Sequence, residues 1–272
     1  MKHTPTEELY LSLQSAFDHF NQELFEGELP SVIFTMQRKN KCMGFLSANR
    51  WASPLGEGYC HELAINPTYV GKASILSTLQ VICHEQVHIW QVIRPEERKC
   101  SRSGYHNKVW ANKMEEIGLM PSSTGAPGGA KTGQNMSDYP IEGGRFLEVC
   151  RTLIKKEEFR IPWFDRKAEP VFGYQPTPEV LEYLNTEGKG ENSHEDNPGA
   201  TSEETFQDIA ALLSAPLSTM VGQEEQQVFL QAAKSNQTRT KYQCPSCTTN
   251  VWGKPNLAVR CETCDMSFVS VG

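Results

Sequence analysis

The stretch VICHEQVHIW, residues 81–90, decides how the rest of the chain is read. It sets His84 and His88 four apart, with Glu85 between them. On an α-helix, positions i and i+4 lie one turn apart on the same face, so two imidazoles there can converge on one zinc ion at about 2.0–2.1 Å each. Glu85 projects beside them, placed to accept a proton from an activated water. A pair of core histidines satisfied by backbone carbonyls would show the same spacing, so the surroundings have to decide. The pattern follows an apolar run, Leu76, Leu79, Ile82 and Cys83, whose period continues through Val87 and Trp90. That predicts a helix over roughly 73–92, ended by Pro95.

A zinc centre of this kind needs a third protein ligand. An extension placing Gly three residues and His six residues beyond His88 is absent; those positions are Gln91 and Arg94. Two kinds of candidate remain. His106 opens a further helix in YHNKVWANKMEEIG, with Val109, Trp110, Met114 and Ile117 on one side and Gly118 at its end; Glu115 and Glu116 sit later on it. His106 is favoured, because a first-turn residue preceded by Gly104 can reach back across a short connection. Tyr105, beside it, is either a packed tyrosine or a hydroxyl donor to an oxyanion.

Upstream, Phe17, Phe20, Leu24 and Phe25 recur at helical spacing and Gly27 follows, which predicts a helix over 7–26. SVIFTM (31–36) and CMGFL (42–46), joined by the polar QRKNK, read as a hairpin, and HELAI (61–65) as a strand ended by Asn66-Pro67. Beyond the third helix, STGAPGGAKTGQNM reads as a loop. Within it GAPGGAKT nearly spells a phosphate-binding loop, but position 130 is alanine and no strand precedes it, so no nucleotide cofactor is expected.

The 272 residues suffice for one medium domain and extras. No apolar run follows the charged start MKHTPTEELY, so neither a leader nor a membrane span is expected, and residence is expected to be cytoplasmic: nucleoid-associated in a bacterium, nuclear in a eukaryote. The nine cysteines are then expected to be thiols or metal ligands. Cys42, Cys60, Cys83, Cys100 and Cys150 sit singly and read as small buried hydrophobes. The formal charge is −7, and residues 166–240 carry most of it, with 5 Lys/Arg against 12 Asp/Glu. The ends stay near neutral, so a local basic surface is compatible with the total.

The expected organisation is therefore α+β: a helix-rich metalloprotease-like domain with a short antiparallel sheet over 1–165, an acidic linker with one or two short helices over 166–240, and a small β module over 241–272. Within the linker, TEGKGENSHEDNPG is too polar to pack. Thr201 and Glu204 have capping-box spacing before FQDIAALL, whose Phe206, Ile209 and Leu213 read as a helix docked on its own domain.

Cys244, Cys247, Cys261 and Cys264 form C-x2-C-x13-C-x2-C. Four thiolates in two pairs close a tetrahedral zinc site, and a module of about 30 residues has too little core to fold without such a staple. This reads as a structural zinc ribbon. Lys241, Tyr242, Trp252, Lys254 and Arg260 offer it charge and stacking surface for nucleic acid, as do Arg38, Lys39 and Lys41 on the QRKNK turn. A solvated surface accounts for them equally well.

Taken together, FNQELFEGELP (20–30), MQRKNKCMGFLSANRW (36–51), HELAINP (61–67), HEQVHIWQ (84–91), GYHNKVWANKM (104–114) and the four-cysteine tail resemble the SprT-like zinc metalloproteases. The resemblance spans about residues 8–162 and 241–272. It implies His84, His88 and His106 as ligands of a catalytic zinc, Glu85 as general base, a second zinc in the tail, and a zincin-like fold acting on protein substrates bound or crosslinked to DNA. It also implies a substrate strand paired to a sheet edge, for which HELAI is the candidate. At one point the chain departs from the pattern: Asn107 follows the third histidine, where the family often has glycine. A non-catalytic DNA-binding or adaptor protein that keeps its zinc sites for structure is the competing expectation.

Overall fold

Thr4 starts the first helix by capping it. Its hydroxyl accepts from the Glu7 N–H, and the Glu7 carboxylate accepts the Thr4 N–H at 2.7 Å, while Pro5 occupies the first helical turn. The chain is described by a computed structural model covering residues 3–40, 42–56, 58–94, 104–157, 159–168, 176–185, 209–219 and 239–271. Helix α1 (Pro5–Phe25) buries Leu13, Ala16, Phe17, Phe20 and Leu24 as one stripe and ends where Glu26 and Gly27 both turn left-handed.

Strands β1 (Val32–Met36), β2 (Gly44–Ala52) and β3 (Tyr59–Ile65) form a sheet of order β1-β3-β2. This corrects two expectations. The two runs flanking QRKNK do not form a hairpin: β1 pairs in parallel with β3, and β2 pairs with β3 antiparallel, so the sheet is mixed. HELAI lies in the central strand, with both edges already bonded, and cannot receive a substrate strand. The cause is burial. Residues 61–65 are all buried, so that strand takes the middle, and Asn66 holds the connection around its end by donating to the Lys39 and Cys42 carbonyls at 2.6 and 2.7 Å.

After the single turn α2 (Pro67–Val70) comes α3 (Ile75–Val92), capped by the Ser74 hydroxyl. Pro95 lies outside the described residues; within them the helix stops at the Ile93 cap. Helix α3 packs against both α1 and the sheet, where Gly44 matters: a Cβ there would collide with Val81 and sit 3.0 Å from the Ala64 carbonyl oxygen, so glycine lets β2 lie against the helix. Phe17 meets Phe34 edge-on at 6.0 Å in the core between α1 and the sheet.

Helix α4 (Lys108–Glu116) leads into a second, two-stranded sheet, β4 (Leu119–Ser122) with β5 (Ser137–Pro140), and the loop expected at 123–136 connects them. Gly118, at φ +94°, links α4 to β4; a Cβ there would meet the Phe146 nitrogen at 2.6 Å. Helix α5 (Arg145–Glu157) packs on α1 through Phe146, which stacks on Phe20.

Two short helices, α6 (Pro178–Asn185) and α7 (Ile209–Ser214), follow. They pack on each other, α6 also on α5 and α7 on α3, with Val180, Leu184, Ala210 and Leu213 buried. The compact unit runs from Met1 to Met220 rather than ending near 165, because these helices bury apolar stripes on it. The acidic run 186–199, the Thr201/Glu204 box and Phe206 lie outside the described residues.

Residues 221–272 form a separate unit. Strands β6 (Thr240–Gln243), β7 (Asn250–Gly253) and β10 (Val269–Ser270) make a sheet of order β10-β6-β7, and β8 (Arg260–Cys261) pairs with β9 (Met266–Ser267). Tyr242 is its buried residue outside the cysteines; its hydroxyl donates to the Lys254 carbonyl and accepts the Leu257 N–H. No helix among the described residues is long and apolar enough to cross a membrane.

Candidate metal centres

Helix α3 presents His84 and His88 on one face, and His106 approaches from the segment before α4. His106 does not lie on the helix it was expected to open. It forms a β-bridge with Gly133, exchanging backbone hydrogen bonds at 2.8 and 3.1 Å, and Asn107 caps the helix after it. The Asn107 carboxamide oxygen accepts from the Trp110 N–H at 2.9 Å and from the Gln91 side chain at 3.0 Å. With φ at −84°, position 107 does not require glycine, which accounts for the asparagine there.

The three rings point inward. The Nε2 atom of His106 lies 3.2 Å from that of His84 and 3.1 Å from that of His88. Four ligands at 2.0–2.1 Å around a tetrahedral metal are separated by about 3.3 Å, so the spacing fits such an ion. Protons fit as well. His84 Nδ1 lies 2.9 Å from Asp138 Oδ2 and His106 Nδ1 lies 3.2 Å from the Gly133 carbonyl oxygen. A carboxylate and a carbonyl only accept, so both rings carry their proton on Nδ1 and turn a lone pair inward at Nε2. Two lone pairs facing each other at 3.2 Å repel, and a cation between them removes the repulsion. Trp110, fully buried, closes the floor against all three imidazoles, with ring centroids 4.4–5.7 Å away.

Burial and the neighbouring His84 ring drive His106 down to about 4, and burial, with both other rings, holds His88 well below the ordinary imidazole value. Both are therefore neutral near pH 7, as ligands must be. Burial also lowers His84, but Asp138 and Glu85 outweigh it and the net direction is upward. Glu85 is 6% exposed, and burial raises its carboxyl above the usual range. It accepts the Leu46 N–H. Leu46 is on β2, whose other side is taken by β3, so this N–H points to the free edge of the sheet and Glu85 lies along that edge. Glu115 and Glu116 are engaged elsewhere, with Lys131 at 2.9 Å and Lys113 at 2.7 Å.

Nothing in the sequence marks Asp138, Gly133 or Leu46 as belonging to this site: they come from other elements and carry no spacing signal relative to His84. Gln80 lies one helical turn before His84 on α3, the one of the four whose spacing is legible in the sequence. Tyr105, 39% exposed, precedes His106. A cavity of about 430 Å³, lined by Leu9, Leu13, Met36, Ile65 and Trp163 among others, shares no residue with the histidines. Its walls are mostly apolar, with Arg38, Thr78, Asp165 and Arg166 among them, and hold no cluster of metal ligands, so the chemistry is assigned to the histidines.

In the C-terminal unit the ligand atoms of Cys244, Cys247, Cys261 and Cys264 all lie within 4.8 Å of one another. The Sγ atoms of Cys247 and Cys261 are 3.8 Å apart, which matches the edge of about 3.8 Å expected for sulfur at 2.3 Å from zinc. Each C-x-x-C turn is followed by a left-handed residue, Thr248 and Asp265, so the two halves share one backbone device. Hydrogen bonds from Thr249, and then from Cys244 and Cys264, lower the Cys247 thiol to about 6. All eight described cysteines are free thiols; Cys83 and Cys150 are buried, Cys42 and Cys60 half-buried, and Cys100 lies outside the described residues.

The cations suggested for nucleic acid are divided between the two units. Arg38 pairs with Asp165 at 2.6 Å, Lys39 lies over the Phe45 ring, and Lys41 is outside the described residues. In the other unit Arg260 pairs with Asp265 at 2.8 Å, while Trp252, 62% exposed, and Lys254 face solvent.

An α+β scaffold brings three histidines together, two half-buried and one buried, in a group that could hold a metal ion. The SprT-like family model matches residues 13–130, which include all three histidines and Glu85, so the resemblance carried by the sequence motifs holds over that segment. A protein of Salmonella typhimurium described as "uncharacterized protein in mucB 3'region" is 45% identical over 47 residues, 17% of this chain and 64% of that protein, so the chain covers a little under two thirds of the relative. No solved structure matches the chain.

Proposed function

We propose that the chain is a zinc-dependent endopeptidase that hydrolyses proteins held on, or crosslinked to, DNA. The convergence of three imidazole nitrogens beside a buried carboxylate is the observation that carries the reading. His84, His88 and His106 would hold the catalytic zinc, and the four cysteines a structural one. The bound cation supplies Lewis acidity, polarising the scissile carbonyl and acidifying water. Glu85, with its raised basicity, takes the proton from the attacking water and delivers it to the departing amide nitrogen. The substrate strand adds to the free edge of β2, where the Leu46 N–H meets Glu85 and the rings lie next to the bond to be cut. Tyr105, adjacent to His106, is the candidate donor to the oxyanion.

The DNA-associated substrate rests on the likeness to SprT-like proteins, with Trp252 and Lys254 as the supporting surface. Incubating the full chain with histone, with and without single-stranded DNA and with chelator, tests the whole reading. Fragments that need metal, disappear in Glu85→Gln and increase with DNA are expected. Equal proteolysis by Glu85→Gln would reject the mechanism, and DNA-independent cleavage would reject the substrate assignment.

A further inference from the structure

Behind His84 lies a short relay of buried polar groups. Gln80, one turn earlier on α3 and 6% exposed, donates from Nε2 to the Asp138 backbone oxygen at 3.3 Å and to Asp138 Oδ1 at 3.2 Å. The other carboxylate oxygen, Oδ2, meets His84 Nδ1 at 2.9 Å, and the Asp138 side chain is 7% exposed. Both groups facing the Gln80 amide are acceptors, which fixes its orientation: turned over, its oxygen would abut two other oxygens. Gln80 Oε1 is left buried without a hydrogen-bond partner, a cost consistent with the NH2 group being committed to Asp138.

We propose that Gln80 and Asp138 are positioning residues that set the tautomer of His84, holding its proton on Nδ1 so that Nε2 is available to the metal. The inference rests on the three-histidine site being a metal centre. It gives Gln80 a part that ring orientation alone would not require. With aspartate at 138 both oxygens accept, so Gln80 and His84 are satisfied together. With asparagine at 138 there is one oxygen, and Gln80, anchored by the backbone carbonyl, claims it. The asparagine NH2 then faces His84 Nδ1, which must become an acceptor and push the proton to Nε2, where it blocks the metal. Removing Gln80 frees the asparagine to turn its oxygen toward His84.

The test uses the full chain loaded with Zn²⁺. Zinc release to a chromogenic chelator is followed, the histidine phase being the one lost in His88→Ala, and the His84 tautomer is read from ¹⁵N NMR of the ring nitrogens. Asp138→Asn should weaken the histidine site by about 10- to 100-fold, the range seen for outer-shell partners of metal-bound histidines, and move the proton to Nε2. Gln80→Leu alone should change affinity only a few-fold. The double variant Gln80→Leu/Asp138→Asn should bind zinc more tightly than Asp138→Asn and restore the Nδ1 proton; a merely structural role for Gln80 predicts a double variant no better than the single. Wild-type affinity in Asp138→Asn, or no recovery in the double variant, overturns the proposal while leaving the metal centre in place. A wild-type chain that releases zinc only from the cysteines takes down the metal-centre reading and this proposal together.

Discussion

The two candidate metal sites of this chain are built in opposite ways. The histidine centre is hosted by its fold: His84 and His88 sit on a helix buried among Leu76, Leu79 and Ile82, the floor is Trp110, and Asp138 and Gly133 hold two of the rings from behind. The cysteine cluster hosts its fold: apart from the cysteines, Tyr242 is the described buried side chain in that unit, and Leu257, Met266 and Val269 are exposed. A core of that size cannot offset the chain entropy of some 30 residues, so an ion bound to the four cysteines would be needed to supply the folding energy. Removing metal should therefore cost function in one unit and structure in the other.

The largest test of that contrast is Cys244→Ser with Cys261→Ser. Apparent zinc-binding energies in such small modules run to about 10–16 kcal/mol, so the C-terminal unit should unfold while the first keeps its transition. Limited trypsin digestion checks it: new cuts at Lys241 and Arg260 are expected, with the digestion pattern of the first unit unchanged. Next, Glu85→Gln should keep about two zinc per chain and lower turnover by roughly 10²–10⁴-fold, since only the proton acceptor is lost; metal analysis beside a peptidase assay separates the two effects. Trp110→Ala should destabilise the first unit by about 3–5 kcal/mol and loosen the histidine centre above the cavity it leaves, with the cysteine zinc unaffected. Denaturant unfolding with a zinc count on the same sample shows whether the two sites are as independent as their construction implies.

The smallest effect concerns α5 and α6. The Arg151 guanidinium, and less strongly the Tyr183 hydroxyl, hold the Glu148 carboxyl below its ordinary value of 4.5. A folded-state value below the unfolded one gives stability that is present above pH 4.5 and lost as pH falls through the folded value. Because the Glu148 side chain is 46% exposed, the gain is expected to stay under about 1 kcal/mol. Glu148→Gln should lower the melting temperature slightly at pH 7, with the difference from the wild type shrinking as pH falls below 4.5.

Sequence periodicity located α1, α3 and α4 because each buries one continuous stripe, and a stripe is a local property. It misplaced the sheet for the complementary reason. SVIFTM and CMGFL are close in sequence and separated by a polar turn, the signature of a hairpin, yet the strand between them comes later in the chain. Only burial on both faces puts HELAI at the centre, and burial of that kind depends on α1 and α3 being in place. The end of the first unit was hidden in the same way: α6 and α7 are short, lie next to strongly acidic stretches, and become part of the unit through contacts with α3 and α5.

The sequence by itself determined the pairing of His84 with His88 and of the cysteines within each C-x-x-C, because a helical turn and a C-x-x-C knuckle bring side chains together within a few residues, and covalent spacing alone carries that geometry. The third histidine was legible as a candidate but not as a choice, since Glu115 and Glu116 satisfy the same spacing argument. Tertiary structure made that choice by bridging His106 to Gly133 and tying both glutamates to lysines. It also supplied Asp138, Gln80 and the Leu46 N–H. These reach the site across 4 to 54 residues of chain, and their roles depend on which atoms face which, a matter settled only when separate elements pack.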